Sequence, residues 1–180
     1  MVKTEEEGCL AGADLGPVSR EAYNRGSVQL GTLGGGNHFI ELQVVQEVFE
    51  QELAECFGLY PGNLTVMIHT GSRGFGHQIC TDFSKSLLQA ARKHGIEVPD
   101  RGLACAPVES REGRDYYAAM ACAVNFAFAN RQLITHDVRC AFGDVFRCNP
   151  AELGLQLIYD VAHNIAKWER HQGRQLLVHR

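Results

Sequence analysis

The sequence has no long hydrophobic run, no pairing pattern among its cysteines and no strong excess of charge, and each absence removes a class of protein. No apolar stretch approaches the ~20 residues that a membrane-crossing helix needs, so no membrane partner is expected. The first residues, MVKTEEEGC, are acidic, and no signal peptide is expected there. Lys and Arg total 17 against 21 Asp and Glu, a formal net charge of -4. Bulk attraction therefore does not mark a polyanion binder; any nucleic-acid site has to be a local cluster. Seven cysteines (Cys9, Cys56, Cys80, Cys105, Cys122, Cys140 and Cys148) are scattered without a Cys-x-x-Cys pair. An odd, unpatterned set argues against a disulfide framework and against a thiolate zinc site, and fits reduced thiols in a cytoplasmic protein. Repeats, low-complexity tracts and linkers rich in Pro or Ser are missing too.

What is present is a chain of 180 residues, 45% hydrophobic, long enough for one domain with a real core. A short helix is expected over Ser19–Asn24. Phe39 to Val45 alternates and then turns apolar, as a half-buried strand does. Phe49–Phe57 suits a helix, ended by Gly58 and the turn Pro61-Gly62-Asn63. Leu64–Ile68 reads as a strand that delivers His69 at its carboxyl end. Helical spacing returns over Ile79–Lys93 and stops at Gly95. A long helix is expected over Asp115–Ile134, where Tyr116, Met120, Val124, Phe128 and Gln132 recur four apart, with a shorter one at Val138–Phe146. Leu155–Val161 reads as a buried strand delivering His163, and Leu176–His179 as the start of another. Strands and helices alternate without a regular βαβ rhythm. The fold class expected is α+β, a mixed sheet with flanking helices.

Three segments carry candidate chemistry. In Gly31–Glu41 (GTLGGGNHFIE), Gly34, Gly35 and Gly36 permit positive φ and close approach to a ligand. No Gly-Lys-Ser/Thr follows, and a strand stands where a dinucleotide fingerprint needs a helix, so neither nucleotide motif applies. On these residues alone, a glycine turn holding a hydrogen-bonded histidine explains the segment as well as a ligand site does. In His69–His77 (HTGSRGFGH), a strand leads into a helix whose first amides suit an anion, and Arg73 stands among small residues with a guanidinium suited to phosphate oxygens. His77, in the first helical turn, is expected to be structural or a supporting partner. The third segment is Tyr159-Asp-Val-Ala-His-Asn164, with Lys167 beyond it. Imidazole suits Mn, Zn, Fe, Ni or Cu, so His38, His69 and His163 are candidate transition-metal ligands, and the spacing does not choose the metal. His94, His136, His171 and His179 lack such settings and are expected at the surface.

The blocks LGTLGGGNHFIELQ, MIHTGSRGFGHQI, DYYAAMACAVNFAFANRQ and YDVAHNIAKWERH, ending in LVHR, resemble successive blocks of the RtcB RNA-splicing ligase family, in the family's order. The opening ADLGPVSREAYNRGSVQ resembles the region before the first block. The resemblance spans nearly the whole chain. It implies an RtcB-like fold, incomplete here, and an enzyme that joins an RNA 2′,3′-cyclic phosphate or 3′-phosphate end to a 5′-hydroxyl end. The work would be tRNA splicing or RNA repair, with GTP and two Mn2+ ions per complete site as cofactors. In that family a histidine is guanylylated, GMP activates the RNA 3′-phosphate, and the 5′-hydroxyl displaces it. Matched block by block, His38, His69 and His163 resemble the histidine metal ligands. Asn37, His38, Phe39, Glu41, His163 and Asn164 resemble the GTP contacts, and Asn37 with Arg73 the RNA phosphate contacts.

The departures narrow what the resemblance implies. The family carries an Asp and a Cys metal ligand upstream of the glycine segment, and nothing before Gly31 matches them; Cys9, in EEEGCLAG, is in a different setting. The guanylylated histidine belongs to a His-Gly-Ala-Gly block that this sequence does not contain. Residues 1–180 are therefore expected to form a single partial domain, an interior portion of the ligase, inactive in joining on its own and with core surface exposed. Two rivals from other classes remain: a non-catalytic metal- or nucleotide-binding remnant, and a metal-dependent phosphohydrolase. The second lacks the paired carboxylate motifs of many two-metal phosphoesterases.

Overall fold

The computed structural model describes residues 3–180, and its elements follow the helical and strand periodicities of the sequence closely in the first half of the chain. Helix α1 (Arg20–Ser27) starts where Ser19 accepts a hydrogen bond from Ala22 N–H, the usual way to satisfy an orphan amide of the first turn. Strand β1 (Phe39–Val44) pairs antiparallel with β2 (Leu64–His69). Between them lies α2 (Gln51–Phe57), closed by Gly58 in the left-handed conformation, φ 68°. The register sets Phe39 opposite His69 and Ile40 opposite Ile68. One face of the pair therefore carries Phe39, Glu41 and His69, and the other Ile40, Leu42, Val44, Leu64, Val66 and Ile68. Four of that second, apolar set (Ile40, Leu42, Val44 and Leu64) stand exposed.

Helix α3 (Arg73–Lys93) begins six residues before the expected Ile79. The glycines that made 73–78 look like loop serve packing inside its first turns. A β-carbon on Gly74 would lie 2.7 Å from the Gln29 side-chain oxygen. Helix α4 (Arg111–Phe146) replaces the two helices expected over 115–134 and 138–146. No Gly or Pro interrupts Thr135-His136-Asp137, and the Thr135 hydroxyl donates back to Arg131 C=O at 2.8 Å, so the ladder runs through. Ser110 caps its start through Gly113 N–H.

The C-terminal part departs most from expectation. Among the described residues Leu155–Val161 forms no strand, its one bridge setting Asp160 parallel to Thr4. Arg139 of α4 donates to Leu155 C=O, so the segment lies along a helix and is not paired into a ladder. An apolar run is satisfied by either arrangement. The strands here are instead β3 (Ala166–His171) and β4 (Arg174–His179), an antiparallel hairpin. Gln172 (φ 48°) and Gly173 (φ 80°) make the two-residue turn, both in the positive-φ region that a type I′ hairpin requires. The mixed sheet is thus corrected to two separate two-stranded antiparallel sheets among the described residues, in an α+β arrangement dominated by helix.

Two hydrophobic clusters form the core among the described residues, and α4 serves both. Ala119 and Ala123 pack with Ala22 of α1 and Phe75 and Ile79 of α3. Ala121, Val124 and Phe128 pack with Leu10 and Ile165. The N-terminal turn is fastened to β3 by Lys167, whose buried ammonium lies 2.8 Å from both Glu5 and Glu6. All seven cysteine thiols are free. No helix among the described residues is long and apolar enough to cross a membrane.

Candidate functional site

The three histidines singled out from the sequence lie in one region, and two of them meet. His69 ends β2, while His163 follows the extended segment after Asp160; their Nε2 atoms are 3.0 Å apart. Two neutral imidazoles aiming lone pairs at so short a gap repel unless a proton or a cation sits between them. A separation near 3 Å is also about what two nitrogens adopt on one ion with bonds of ~2.0–2.1 Å. The Asn164 amide lies 3.0 Å from His163 Nδ1, at the position of a group that fixes ring tautomer and orientation. Phe39 packs edge-on against the His69 ring, with centroids 5.0 Å apart.

His38 stands beside this pair without closing on it. Its ring centroid is 6.3 Å from that of His69, and its Nδ1 lies 3.4 Å from Arg73 Nη1. Burial lowers its pKa, helped by the Arg73 charge and by His69, so the neutral imidazole is favoured, which is the form that ligates metals. Among the described residues, no group of three or more His, Cys, Asp or Glu side chains converges on a single point. His69 and His163 could hold a transition-metal ion between their Nε2 atoms, while His38 stands adjacent with its Nδ1 turned to Arg73.

Arg73 is held in an uncommon backbone conformation, φ 54°, at the start of α3. Its Nε donates to the Thr32 hydroxyl at 3.1 Å, and the rest of the guanidinium runs past Gly34 to His38. A β-carbon on Gly34, itself at φ 100°, would collide with that guanidinium and come within 2.6 Å of His38 Nδ1. Gly34 is therefore needed for the close approach of the Arg73 guanidinium, whereas a β-carbon on Gly35 or Gly36 would meet nothing within 4 Å. The sequence expected the run to bring the backbone close to a ligand. Glu41 lies on the same sheet face as Phe39 and His69, exposed, accepting from Gln43 at 2.9 Å. Asn37 is exposed in the loop ahead of β1. His77 is exposed on α3 with Nδ1 3.5 Å from Arg25 Nη1, a supporting contact. His94, His136, His171 and His179 are all exposed, as expected.

The residues that the sequence did not single out are those holding the three segments together. Asn130 of α4 is fully buried. Its Oδ1 accepts from Thr32 N–H at 3.0 Å, and its Nδ2 donates to Thr32 C=O and Gly71 C=O, each at 3.1 Å. Arg131 donates from Nε to Asp160 Oδ1 at 2.6 Å and from Nη1 to Thr70 C=O at 3.2 Å. The Thr70 hydroxyl donates to Leu33 C=O at 2.6 Å, and Ala162 N–H donates to Glu5 Oε2 at 3.0 Å. The available signal was a pair of adjacent polar residues interrupting the apolar side of a long helix.

The order and spacing of these segments are shared with known proteins along the full chain. The family model described as tRNA-splicing ligase RtcB matches residues 1–180. The chain belongs to the RtcB family. It is 53% identical to the tRNA-splicing ligase RtcB of Methanocaldococcus jannaschii over 180 residues, covering 98% of this chain and 19% of that protein. Identity to the RtcB of Archaeoglobus fulgidus is 54%, covering 98% of this chain and 37% of the relative. The RtcB of Pyrococcus furiosus is 50% identical, covering all of this chain and 19% of the relative. The chain thus spans between about a fifth and two-fifths of the length of these curated RtcB relatives.

Proposed function

We propose that this chain supplies the nucleotide- and RNA-end-binding part of a GTP- and manganese-dependent RNA ligase acting in tRNA splicing or RNA repair in the cytoplasm. The reaction assigned is the joining of a 2′,3′-cyclic phosphate or 3′-phosphate end to a 5′-hydroxyl end. The observation that carries the reading is the 3.0 Å approach of His69 Nε2 to His163 Nε2 beside the Arg73–His38 contact. That arrangement sets a cation-seeking pair next to an anion-seeking guanidinium, which is what a phosphate bound through a metal requires. Membership of a family of tRNA-splicing ligases supports RNA as the partner.

The roles follow from position. His69 and His163, with His38, would hold manganese, which when bound supplies charge stabilisation and alignment of phosphates. Phe39 and Glu41 share the face that carries His69, so the ring offers an apolar wall and the carboxylate an acceptor for a guanine base. Asn37 and Asn164 flank two of the histidines with amide donors and acceptors, Asn37 also reaching the RNA phosphate. Arg73 would orient the RNA terminal phosphate by paired N–H donors. The covalent guanylylation step is assigned to none of these residues; the chain's part is binding and orientation.

Titration of Mn2+ into the chain, followed by the EPR signal of the free ion, tests the reading, with GTP binding measured in parallel. The expected result is Mn2+-dependent GTP binding that is lost when His69 and His163 are both changed to alanine. Binding unaltered by the double substitution would overturn it. Joining of RNA by this chain alone, dependent on GTP and Mn2+, would overturn the restriction to binding.

A further inference from the structure

Asn130 and Arg131 are neighbours on α4, yet between them they touch all three segments that carry site histidines. Asn130 reads both the N–H and the C=O of Thr32, in the loop that leads to His38, and reaches across to Gly71, two residues past His69. Arg131 takes Thr70, directly after His69, and Asp160, three residues before His163. These contacts span 98, 59, 61 and 29 residues of sequence. An amide that satisfies three backbone groups at once, with no exposure to water, admits no other placement of the two loops. The guanidinium is fixed in turn over the Phe128 ring, 4.9 Å from its centroid, so the hydrophobic core sets its position.

We infer that Asn130 and Arg131 are positioning residues which set the spacing of His38, His69 and His163 from the rigid surface of α4. The inference deepens the functional reading above and rests on it only for what the histidines bind. Stability alone accounts poorly for the Arg131–Asp160 pair. Burial pushes the Asp160 carboxyl up from its ordinary value in spite of the arginine, and an apolar pair serves a core at least as well. What an ion pair adds is direction: Nε and Nη1 point to two separate segments, which a lysine ammonium cannot reproduce.

The test is histidine-ring 15N NMR of the labelled chain, with Mn2+ affinity measured beside it, for Asn130→Asp, Arg131→Lys and Asp160→Asn. Asn130→Asp keeps an acceptor for Thr32 N–H but loses both donors, and is expected to shift the His38 and His69 ring signals. Asp160→Asn is expected to shift His163 and its partner His69 while leaving His38 in place. Arg131→Lys is expected to shift His69 and His163. In each variant Mn2+ binding is expected to weaken about tenfold or more, the usual effect of removing a group that orients ligands. The amide signals of the Ala22–Phe75–Ile79 cluster report whether the core is intact; should Asn130→Asp fail to fold, Asp160→Asn at the partly exposed end of the network still decides. Ring signals unchanged in folded variants would overturn the positioning role. Ring shifts in a chain whose wild type binds no Mn2+ would uphold that role and overturn the proposed function instead.

Discussion

Gly34 and Arg73 compete for one volume: the space where a Gly34 β-carbon would stand is filled by the Arg73 guanidinium on its way to His38. Gly34→Ala is therefore expected to displace Arg73 as well as strain a backbone at φ 100°. The backbone strain costs about 1–3 kcal/mol of stability. The binding of an oligonucleotide bearing a 3′-phosphate is expected to weaken at least tenfold (roughly 1.4 kcal/mol), read by fluorescence anisotropy, while circular dichroism keeps its helical signal. Binding as tight as in the unaltered chain would show that Arg73 does not hold the phosphate.

Phe128 is 3% exposed, packs in the cluster of Leu10, Val124 and Ile165, and lies beneath the Arg131 guanidinium. Phe128→Ala is expected to cost about 3–5 kcal/mol, as large-to-small core changes do. Because the ring also supports Arg131, the same change is expected to lower Mn2+ affinity even at temperatures where the chain stays folded. Urea unfolding gives the first quantity and EPR titration the second.

The start of α4 is tied to the end of α3 by Lys93 and Glu112, 2.8 Å apart. The hydrogen bond from Lys93 holds the Glu112 carboxyl down to about 2, against an ordinary 4.5. A carboxylate depressed by folding adds stability that is fully present above its unfolded pKa and disappears as pH falls through the folded one. The contribution is thus expected above about pH 4.5 and to fade toward pH 2. Glu112→Gln removes it, so its unfolding midpoint is expected below that of the wild type at pH 6 and equal to it near pH 2. The difference is expected to shrink in 1 M salt, since the pair faces solvent.

The β3–β4 turn places Gln172 at φ 48°, where a side chain without a local hydrogen-bonding group gains nothing. Asn occupies this region more readily and precedes glycine in the favoured type I′ turn. Gln172→Asn is expected to stabilise the chain, visible as a raised thermal midpoint. A lowered midpoint would mean that the turn is set by contacts outside the hairpin.

The local features of the first half were legible because each is decided within a few residues. Ser19 announces α1, Gly58 ends α2, and the alternation from Phe39 and the run from Leu64 define β1 and β2. Leu155–Val161 was misread because an apolar run states that a segment is covered without stating by what. Here the cover is α4, and Asp160 bridges to Thr4. His38 and His69 stood out through their places at strand ends and beside glycines, and His163 through the apolar run before it; in the structure His69 and His163 meet and His38 stands beside them. The Asn130 and Arg131 contacts were hidden for a different reason. They join side chains to backbone groups, and a backbone N–H or C=O has no letter in a sequence. Glu5 and Glu6 reaching Lys167 were equally invisible, since a separation such as the 161 residues between Glu6 and Lys167 leaves no pattern to read.

One consequence of the Asn130 amide concerns time rather than space. Thr32 N–H sits in a glycine-rich loop, where amides ordinarily trade hydrogen with water quickly, yet it donates to a fully buried oxygen on the helix that both core clusters share. Its release breaks a hydrogen bond to an amide that also holds Thr32 C=O and Gly71 C=O. In heavy water this loop amide is expected to keep its proton markedly longer than those of Gly35 and Gly36.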